Sequence, residues 1–220
     1  MAIAFDSSGV ASVTSGSGTS LTRSHTCTGT NLILVVGVQL FDPAGIAVVD
    51  YNGIGMDQAG VWRNDSLTSW RTGIFYLIAP STGTHNITVT PNTSMGIEIA
   101  GASYTGAAQT GQPDASFNTV QTSTTTFGSP TTRFTTIVDN CWMVGYFACG
   151  SLMASGTATT FRNTAGNKDF ADSNVALTPA GLYALEATTS PADEFTLSAM
   201  SIKPFVASSN PSQFFFASLF

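Results

Sequence analysis

Charged side chains are scarce in this sequence. Only 9% of its 220 residues are charged; there are three Glu, two Lys (Lys168 and Lys203) and a formal net charge of −6. The five Arg are scattered, so the sequence lacks the clustered positive charge that neutralises phosphates. This excludes the usual footprint of a nucleic-acid-binding protein and argues against an anionic membrane surface as partner. Few Glu and Lys also disfavour a helical protein, because exposed helix faces need such residues.

Long apolar runs are also missing. The longest, Leu32–Val38, has the length of a strand, whereas a membrane-spanning helix needs about 18 apolar residues. The first residues lack the basic region and apolar stretch of a signal peptide. We therefore predict no membrane segment and folding in a cytoplasm.

Cysteine and histidine are few, with three Cys and two His. Cys141 and Cys149 lie in one strand-like run, about 26 Å apart if extended, which is beyond disulfide reach. Cys27 could meet one of them across a sandwich, but we favour free buried thiols. Three scattered cysteines and two distant histidines do not form a zinc site, and no cofactor is predicted.

Small hydroxyl residues and apolar residues dominate instead. Ser (25), Thr (32) and Gly (21) make up about a third of the chain, and 43% of it is hydrophobic, including 15 Phe. This is enough apolar material for a sizeable core. The length suits one β-sandwich domain, which we place at residues 1–206, followed by a linker and apolar segment at residues 207–220.

Short strand-like segments alternate with turn signals along the chain. Turn residues such as Asp42-Pro43, Asn52-Gly53 and Asp139-Asn140 separate them, and this spacing is typical of a sandwich or barrel. The predicted strands are Ile3–Phe5, Ser20–Thr28, Leu32–Leu40, Ile46–Tyr51, Gly60–Arg63, Trp70–Ala79, His85–Thr90, Gly96–Tyr104, Thr119–Phe127, Thr131–Val138, Cys141–Ala148, Thr157–Arg162, Val175–Ala187 and Glu194–Phe205.

Two kinds of strand can be distinguished. Leu32–Val38, Gly73–Ile78 and Cys141–Ala148 are almost continuously apolar, which predicts central strands covered on both faces. Ser20–Cys27 and His85–Thr90 alternate, as half-exposed strands do. The fold class predicted is therefore all-β: an antiparallel β-sandwich of the jelly-roll or concanavalin-like kind.

A series of strand and turn motifs runs over roughly residues 18–150. The motifs are Gly18-Thr19-Ser20-Leu21-Thr22, Asn31-Leu32-Ile33-Leu34-Val35-Val36-Gly37-Val38, Tyr51-Asn52-Gly53, Phe75-Tyr76-Leu77-Ile78-Ala79-Pro80 and Ala102-Ser103-Tyr104-Thr105-Gly106-Ala107. In this order they resemble a broad group of poorly characterised β-sandwich domains of phage virion proteins and bacterial surface proteins. The resemblance implies a jelly-roll-like sandwich, similar to lectin and carbohydrate-binding folds, and says little about chemistry.

Acidic residues offer two weak sites. A sandwich glycosidase needs two carboxylates about 5–10 Å apart, but Glu98 stands alone, and Asp193 and Glu194 are neighbours that would point to opposite faces of a strand. Weak calcium candidates are Asp42, Asp50 and Asp57, with Asp65 nearby and with Asp169 and Asp172 as a second group. We favour ordinary solvated or turn-forming carboxylates in each case.

Serine, histidine and tryptophan give further candidates. Because Ser is abundant, its proximity to His25 or His85 has little meaning, and no Gly-x-Ser-x-Gly elbow is present. Trp62 and Trp70 flank a loop in which Arg63 and Asn64 could hydrogen-bond a sugar stacked on the rings. The alternative, which we favour, is that both rings cover an end of the sandwich, while Trp142 belongs to the core.

The last residues are strongly apolar. They include Phe214, Phe215, Phe216, Leu219 and Phe220, and leaving them in water forfeits roughly 1.5–3 kcal/mol for each large side chain. The segment folds back over its own sandwich or docks into a partner subunit, and we slightly favour the partner.

These features lead to an expected function. We expect a non-enzymatic virion structural protein, a capsid decoration or tail component, that packs against other virion subunits and copies of itself after assembly in the host cytoplasm. A carbohydrate-binding or receptor-binding lectin-like domain, with a glycan as partner, is the alternative, and a glycoside hydrolase or lyase using Glu98 is third.

Overall fold

The structure is a computed structural model that describes residues 1–9, 12–13, 17–65, 69–127, 133–164 and 168–207, without the side chains of residues 12–13, 122–125, 127 and 164. Within these ranges all eighteen regular elements are β-strands. They are β1 Ala4–Ser8, β2 Ser12–Val13, β3 Leu21–Cys27, β4 Ile33–Leu40, β5 Ala47–Tyr51, β6 Ile54–Gly55, β7 Asp57–Asn64, β8 Arg71–Ile78, β9 Gly83–Pro91, β10 Ile97–Thr105, β11 Ala115–Phe127, β12 Phe134–Thr135, β13 Trp142–Cys149, β14 Met153–Ser155, β15 Thr160–Thr164, β16 Lys168–Asp172, β17 Leu182–Tyr183 and β18 Ala187–Ile202.

The strands form four antiparallel sheets. Sheet I has the order β1-β10-β4-β8-β7, with β2 also paired to β10, and sheet II has the order β3-β9-β5-β6. Sheet III has the order β11-β18-β13-β16-β15, with β14 also paired to β18, and sheet IV is the ribbon β12-β17. Every described strand up to β10 belongs to sheets I and II, and every later one to sheets III and IV. The two halves of the chain therefore build separate pairs of sheets.

Sheet I is the middle layer of the molecule. Alternate residues of β4 point to opposite sides: Leu34, Val36 and Val38 pack against sheet II, whereas Ile33 and Val35 pack against sheet III. Both faces of β4 are thus withdrawn from water, which is the physical reason for its continuous apolar sequence. The prediction of doubly covered central segments is confirmed for Leu32–Val38 and Cys141–Ala148, because every residue in both is buried. In the third predicted segment, Gly73–Ile78, the last two residues, Leu77 and Ile78, are only half-buried.

Sheets I and III approach each other closely where β4 has a glycine. The ring-bearing side chain of Tyr146 lies directly over Gly37, and a Cβ added to Gly37 would lie 2.2 Å from the Cβ of Tyr146. A third core covers the other face of sheet III, where Phe147, Phe195 and Leu197 pack against Phe134 and Leu185. The face of sheet III towards sheet I therefore joins the second half of the chain to the first, whereas the third core contains residues of the second half alone.

The predicted all-β antiparallel sandwich is confirmed, while its jelly-roll character stays a prediction. Asn52 and Gly53, predicted as a turn, both have positive φ (53° and 76°) and connect β5 to β6, as expected of an Asn-Gly hairpin. The three cysteines are buried free thiols, as predicted. No helix within the described ranges has the length and apolar character needed to cross a membrane.

Three strand predictions in the second half differ from the structure. Thr131–Val138 contains only the short β12 among its described residues, and Val175–Ala187 contains only β17 and the first residue of β18. Strand β18 begins seven residues before the predicted Glu194 and passes through Pro191, where its pairing with β11 is irregular; a proline is tolerated at such an interruption. Strand β16 was missed because its two aspartates, Asp169 and Asp172, are buried and hide the apolar pattern.

Candidate functional site

The proposed sugar platform lies at the edge strand β7 and the start of β8. Trp62 is half-buried; its ring meets Phe75 edge-on with centroids 5.5 Å apart, and the Arg71 guanidinium lies 5.5 Å from the ring centroid. A Cβ on Gly73 would lie 2.9 Å from the same ring. Trp62 therefore caps the core between sheets I and II.

The other proposed sugar-binding residues flank this tryptophan. Trp70 is half-buried, and its backbone pairs with Asp65 across the loop (Asp65 N to Trp70 O, 3.1 Å). Arg63 is exposed and Asn64 is half-buried. The arrangement brings all four side chains to one end of β7 and β8, and sugar binding there stays a prediction.

The three calcium candidates lie in or beside turns, and two of them bond to their own turns. Asp42 Oδ1 accepts a hydrogen bond from Ala44 N (2.8 Å), and Asp50 Oδ1 accepts one from Gly53 N (3.1 Å). These are ordinary turn-stabilising contacts of aspartate, whereas Asp57 is exposed on β7. Among the described residues no group of three His, Cys, Asp or Glu side chains is placed to hold a metal ion.

A serine–histidine–aspartate constellation lies between β1, β3 and β10, and we call it the His25 cluster (Asp6, Ser7, His25 and Ser103). Ser103 Oγ donates to Asp6 Oδ2 at 2.6 Å, and His25 Nε2 lies 3.0 Å from Ser103 Oγ. Because the Ser103 proton is directed to Asp6, His25 Nε2 must carry its own hydrogen and donate it to Ser103. Burial lowers the pKa of His25 to about 4, although the charge of Asp6 opposes this shift.

The order of contacts in the His25 cluster is not that of a hydrolase. In a catalytic triad the histidine bridges the carboxylate and the serine, but here Ser103 stands between Asp6 and His25. The other hydroxyl, Ser7 Oγ, donates to the carbonyl oxygen of Thr26 and lies 3.4 Å from His25 Nε2. Neither serine is thus activated by the imidazole, and the cluster ties sheet I to sheet II.

A second cluster ties sheet I to sheet III, and we call it the Asp172 cluster (Tyr104, Arg162, Asp172 and Asn174). The Arg162 guanidinium donates to both carboxylate oxygens of the fully buried Asp172, at 2.6 and 2.9 Å. Tyr104 Oη donates at 2.8 Å from sheet I, and Asn174 N donates at 2.9 Å. Burial raises the pKa of Tyr104, and the neighbouring Asp172 charge raises it further. Asp172 is therefore fully engaged in structural contacts.

Glu98, the proposed glycosidase carboxylate, faces the interior between sheets I and III. It is only 6% exposed, and its Oε2 lies 3.5 Å from Lys168 Nζ. Burial raises the pKa of Glu98, while the Lys168 charge opposes this shift. Gln39, also fully buried, is its direct neighbour on β4. A polysaccharide reaches this carboxyl only if the two sheets separate.

The outward side of sheet II is an exposed surface that is rich in hydroxyl groups. Its residues are uncharged except for one carboxylate, and hydroxyl groups face each other across β3 and β9: Thr26 and Thr84 Oγ1 atoms are 2.7 Å apart, and those of Thr22 and Thr88 are 3.5 Å apart. The outward residues are Thr22, Ser24 and Thr26 on β3, Thr84, Asn86, Thr88 and Thr90 on β9, and Val48 and Asp50 on β5. We call this surface the hydroxyl face.

Sequence reasoning missed the members of the inter-sheet clusters. Asp6 and Ser103 are 97 residues apart, and Tyr104 and Asp172 are 68 apart, so no local spacing signals these contacts. The proposed docking residues Phe214, Phe215, Phe216, Leu219 and Phe220 lie outside the described residues.

Comparison with protein-family models, curated proteins and solved structures gives no match to this chain. The resemblance to phage and bacterial sandwich domains therefore rests on the sequence motifs alone.

Proposed function

We propose that this protein is a non-enzymatic structural component of a virion, a capsid decoration or tail component, that works by packing against copies of itself and other subunits. The hydroxyl face carries this proposal. Val48 on this face is 67% exposed, and its neighbours are short Ser, Thr and Asn side chains with Asp50 as the one carboxylate. Such a surface offers little electrostatic repulsion to a second sheet.

The reactive side chains of the described residues also support this proposal. Asp6 and Ser103 bond to each other, and Asp172 is saturated by Arg162, Tyr104 and Asn174. Two contacts of these clusters, His25 to Ser103 and Tyr104 to Asp172, join two sheets, so side chains that resemble a catalytic set in composition contribute to rigidity. A rigid sandwich whose outward surface carries little charge suits a structural subunit that packs against its neighbours.

Association through the hydroxyl face is tested by adding charge to it. Ser24 and Thr90 are exposed on this face, and Thr157 and Thr178 are exposed in loops of the second half of the chain. Sedimentation velocity of the full chain should show self-association. The double variant S24K/T90K should weaken it, because like charges would face each other across the contact, while the matched control T157K/T178K should leave it unchanged.

The virion assignment needs a second measurement. Particles banded by density from cultures of the source should contain this chain, identified by peptide mass spectrometry, at a fixed ratio to the major particle protein. Absence of the chain from such particles, or unchanged assembly in S24K/T90K, would contradict the proposal. Specific binding to an immobilised glycan that is lost in W70A would favour the carbohydrate-binding alternative instead.

A further inference from the structure

An apolar groove lies at the end of the molecule where the described chain finishes. It consists of two adjoining hollows of about 660 and 380 Å³, volumes within or near the range of ordinary ligand sites. Both hollows are lined by Asn140, Pro204, Phe205 and Val206. We call this feature the end groove.

Backbone hydrogen bonds fix the central ridge of the end groove. Phe205 N donates to Gly106 O (2.7 Å), Ala108 N donates to Lys203 O (2.8 Å), and the Met1 ammonium donates to Phe205 O (3.0 Å). Residues 203–206 are thereby held alongside residues 106–108, with a hollow on either side. The ridge is rigid, so the groove exists before anything fills it.

The walls of the end groove are mainly small or apolar. Residues 108–111 and 138–140 line the larger hollow, and residues 1–3, Ala176 and Ala207 line the smaller one. The charged groups in the lining are Asp139 and Lys203 in the larger hollow and the Met1 ammonium in the smaller one. Asp139 accepts a hydrogen bond from Ala180 N (2.6 Å), and the Met1 ammonium already donates to Phe205 O. The groove therefore suits an uncharged apolar occupant.

The chain supplies such an occupant directly after the groove. Ala207, the last described residue, lies on its rim. Residues 208–213 are polar, and residues 214–220 read Phe-Phe-Phe-Ala-Ser-Leu-Phe without a charged side chain. We call residues 214–220 the apolar segment.

We propose that the end groove binds the apolar segment of a second copy of this chain, in a reciprocal exchange between two copies. Because the described chain ends at Ala207 on the rim of its own groove, a twofold axis close to Ala207 brings each segment to the partner's groove. Six residues, 208–213, span at most about 20 Å, enough to cross between two facing rims. A contact of this symmetry is closed and yields a dimer.

Exchange is favoured over docking in the same molecule by the position of the ridge. A segment returning to its own groove would have to reverse within residues 208–213 and then lie against residues 204–206, from which it has just emerged. A segment from a facing copy enters the hollows without this reversal. The biological meaning of this inference rests on the proposed function, because the exchanged dimer would be the smallest unit of self-association.

The experiment uses two complementary variants of the full chain. V206E places a carboxylate on the ridge at a side chain that is 78% exposed, so folding should be unaffected; the triple variant F214S/F215S/F216S leaves the groove intact but removes the occupant. The matched control is L152E, at a position that is 73% exposed and away from the groove. All measurements are made by light scattering after size exclusion, in the S24K/T90K background to suppress larger assemblies.

The S24K/T90K chain, which is the parent of these variants, should be a dimer, and the control L152E should have the same dimer dissociation constant. V206E and the triple variant should each raise the dimer dissociation constant on the order of tenfold or more, because a buried unpaired charge or the loss of buried aromatic area opposes docking. Mixing V206E with the triple variant should restore a heterodimer with one intact contact, since one chain supplies a groove and the other a segment.

Two results would overturn the inference. The first is a parent chain that stays monomeric at every concentration, as it would if the segment docked in its own groove. The second is a V206E dimer with the same dissociation constant as the parent dimer. These outcomes are separate from failure of the proposed function. A chain absent from particles that still dimerises through the groove refutes only the virion role, and a monomeric chain found in particles refutes only the exchange.

Discussion

Acid should destabilise this protein through one buried imidazole. His25 is 2% exposed, and burial lowers its pKa from 6.5 to about 4 in the folded protein. The unfolded chain, in which His25 has its ordinary pKa, binds a proton more readily between these two pH values. The stability due to the neutral ring is therefore present above pH 6.5 and is lost as the pH falls towards 4.

The size of this effect follows from the gap between the two pKa values. Each pKa unit corresponds to about 1.4 kcal/mol, so the neutral His25 contributes about 3 kcal/mol of pH-dependent stability. This is a large fraction of the 5–15 kcal/mol that typically separates folded from unfolded domains, roughly a fifth to three-fifths. Glu98 acts in the opposite direction, because its raised pKa makes the folded state lose stability as the pH rises.

The measurement must therefore compare variants at each pH. Urea unfolding of the wild type and of H25Q, followed by tryptophan fluorescence at pH 7, 6, 5 and 4, gives the difference in unfolding free energy. We expect the advantage of the wild type over H25Q to shrink by about 3 kcal/mol between pH 7 and pH 4. Glutamine can still donate to Ser103, so the hydrogen bond is retained while the titrating group is removed.

The chain offers a matched control in His85, which lies directly opposite His25 in the β3–β9 ladder and is more exposed. H85Q removes the other imidazole of this pair, so a change in pH dependence found in H25Q and not in H85Q belongs to His25. If the wild type and H25Q lose stability in parallel from pH 7 to pH 4, the burial of a neutral imidazole at this position is refuted.

Three further predictions test the packing between the sheets. G37A should cost about 3 kcal/mol in urea unfolding, because its new Cβ would overlap Tyr146; an unchanged midpoint would show that sheet III does not lie against β4. D172N should cost about 3 kcal/mol or more in the same assay, because it leaves the Arg162 guanidinium facing a neutral amide, and a smaller loss than in the control Asp57→Asn, at an exposed position of β7, would contradict the buried pair. Cys141, whose pKa burial raises to about 12, should react with a thiol reagent at pH 8 only as fast as the protein opens, so labelling that is independent of urea would refute its enclosure.

Much of the fold was predictable because strand formation has a local signature. The alternation in His85–Thr90 and the continuous apolar run in Leu32–Val38 report how many faces of a strand are covered, and both predictions agree with the structure. The Asn52-Gly53 turn was predictable for a similar reason, since these residues tolerate the positive φ that a tight hairpin needs. Strand β16 escaped the same reasoning because buried Asp169 and Asp172 replace the apolar residues that a core strand normally shows.

The polar clusters were not predictable in this way. His25 contacts Ser103, a residue of the neighbouring sheet that lies 78 positions further along the chain. Asp172 was considered as a weak calcium ligand, whereas the structure gives its oxygens to Arg162 and Tyr104. Such partners depend on which strands become neighbours, and no local pattern carries that information.

The sequence by itself determined the class of the protein: few charges and many Ser, Thr and apolar residues require antiparallel sheets with neutral outward sides and apolar inward sides. Only the tertiary structure decided that sheet I would be covered twice and that the reactive side chains would be used as links between layers. The reason is that burial periodicity is a property of each strand, whereas the order of the sheets arises from packing between residues as distant as Gly37 and Tyr146.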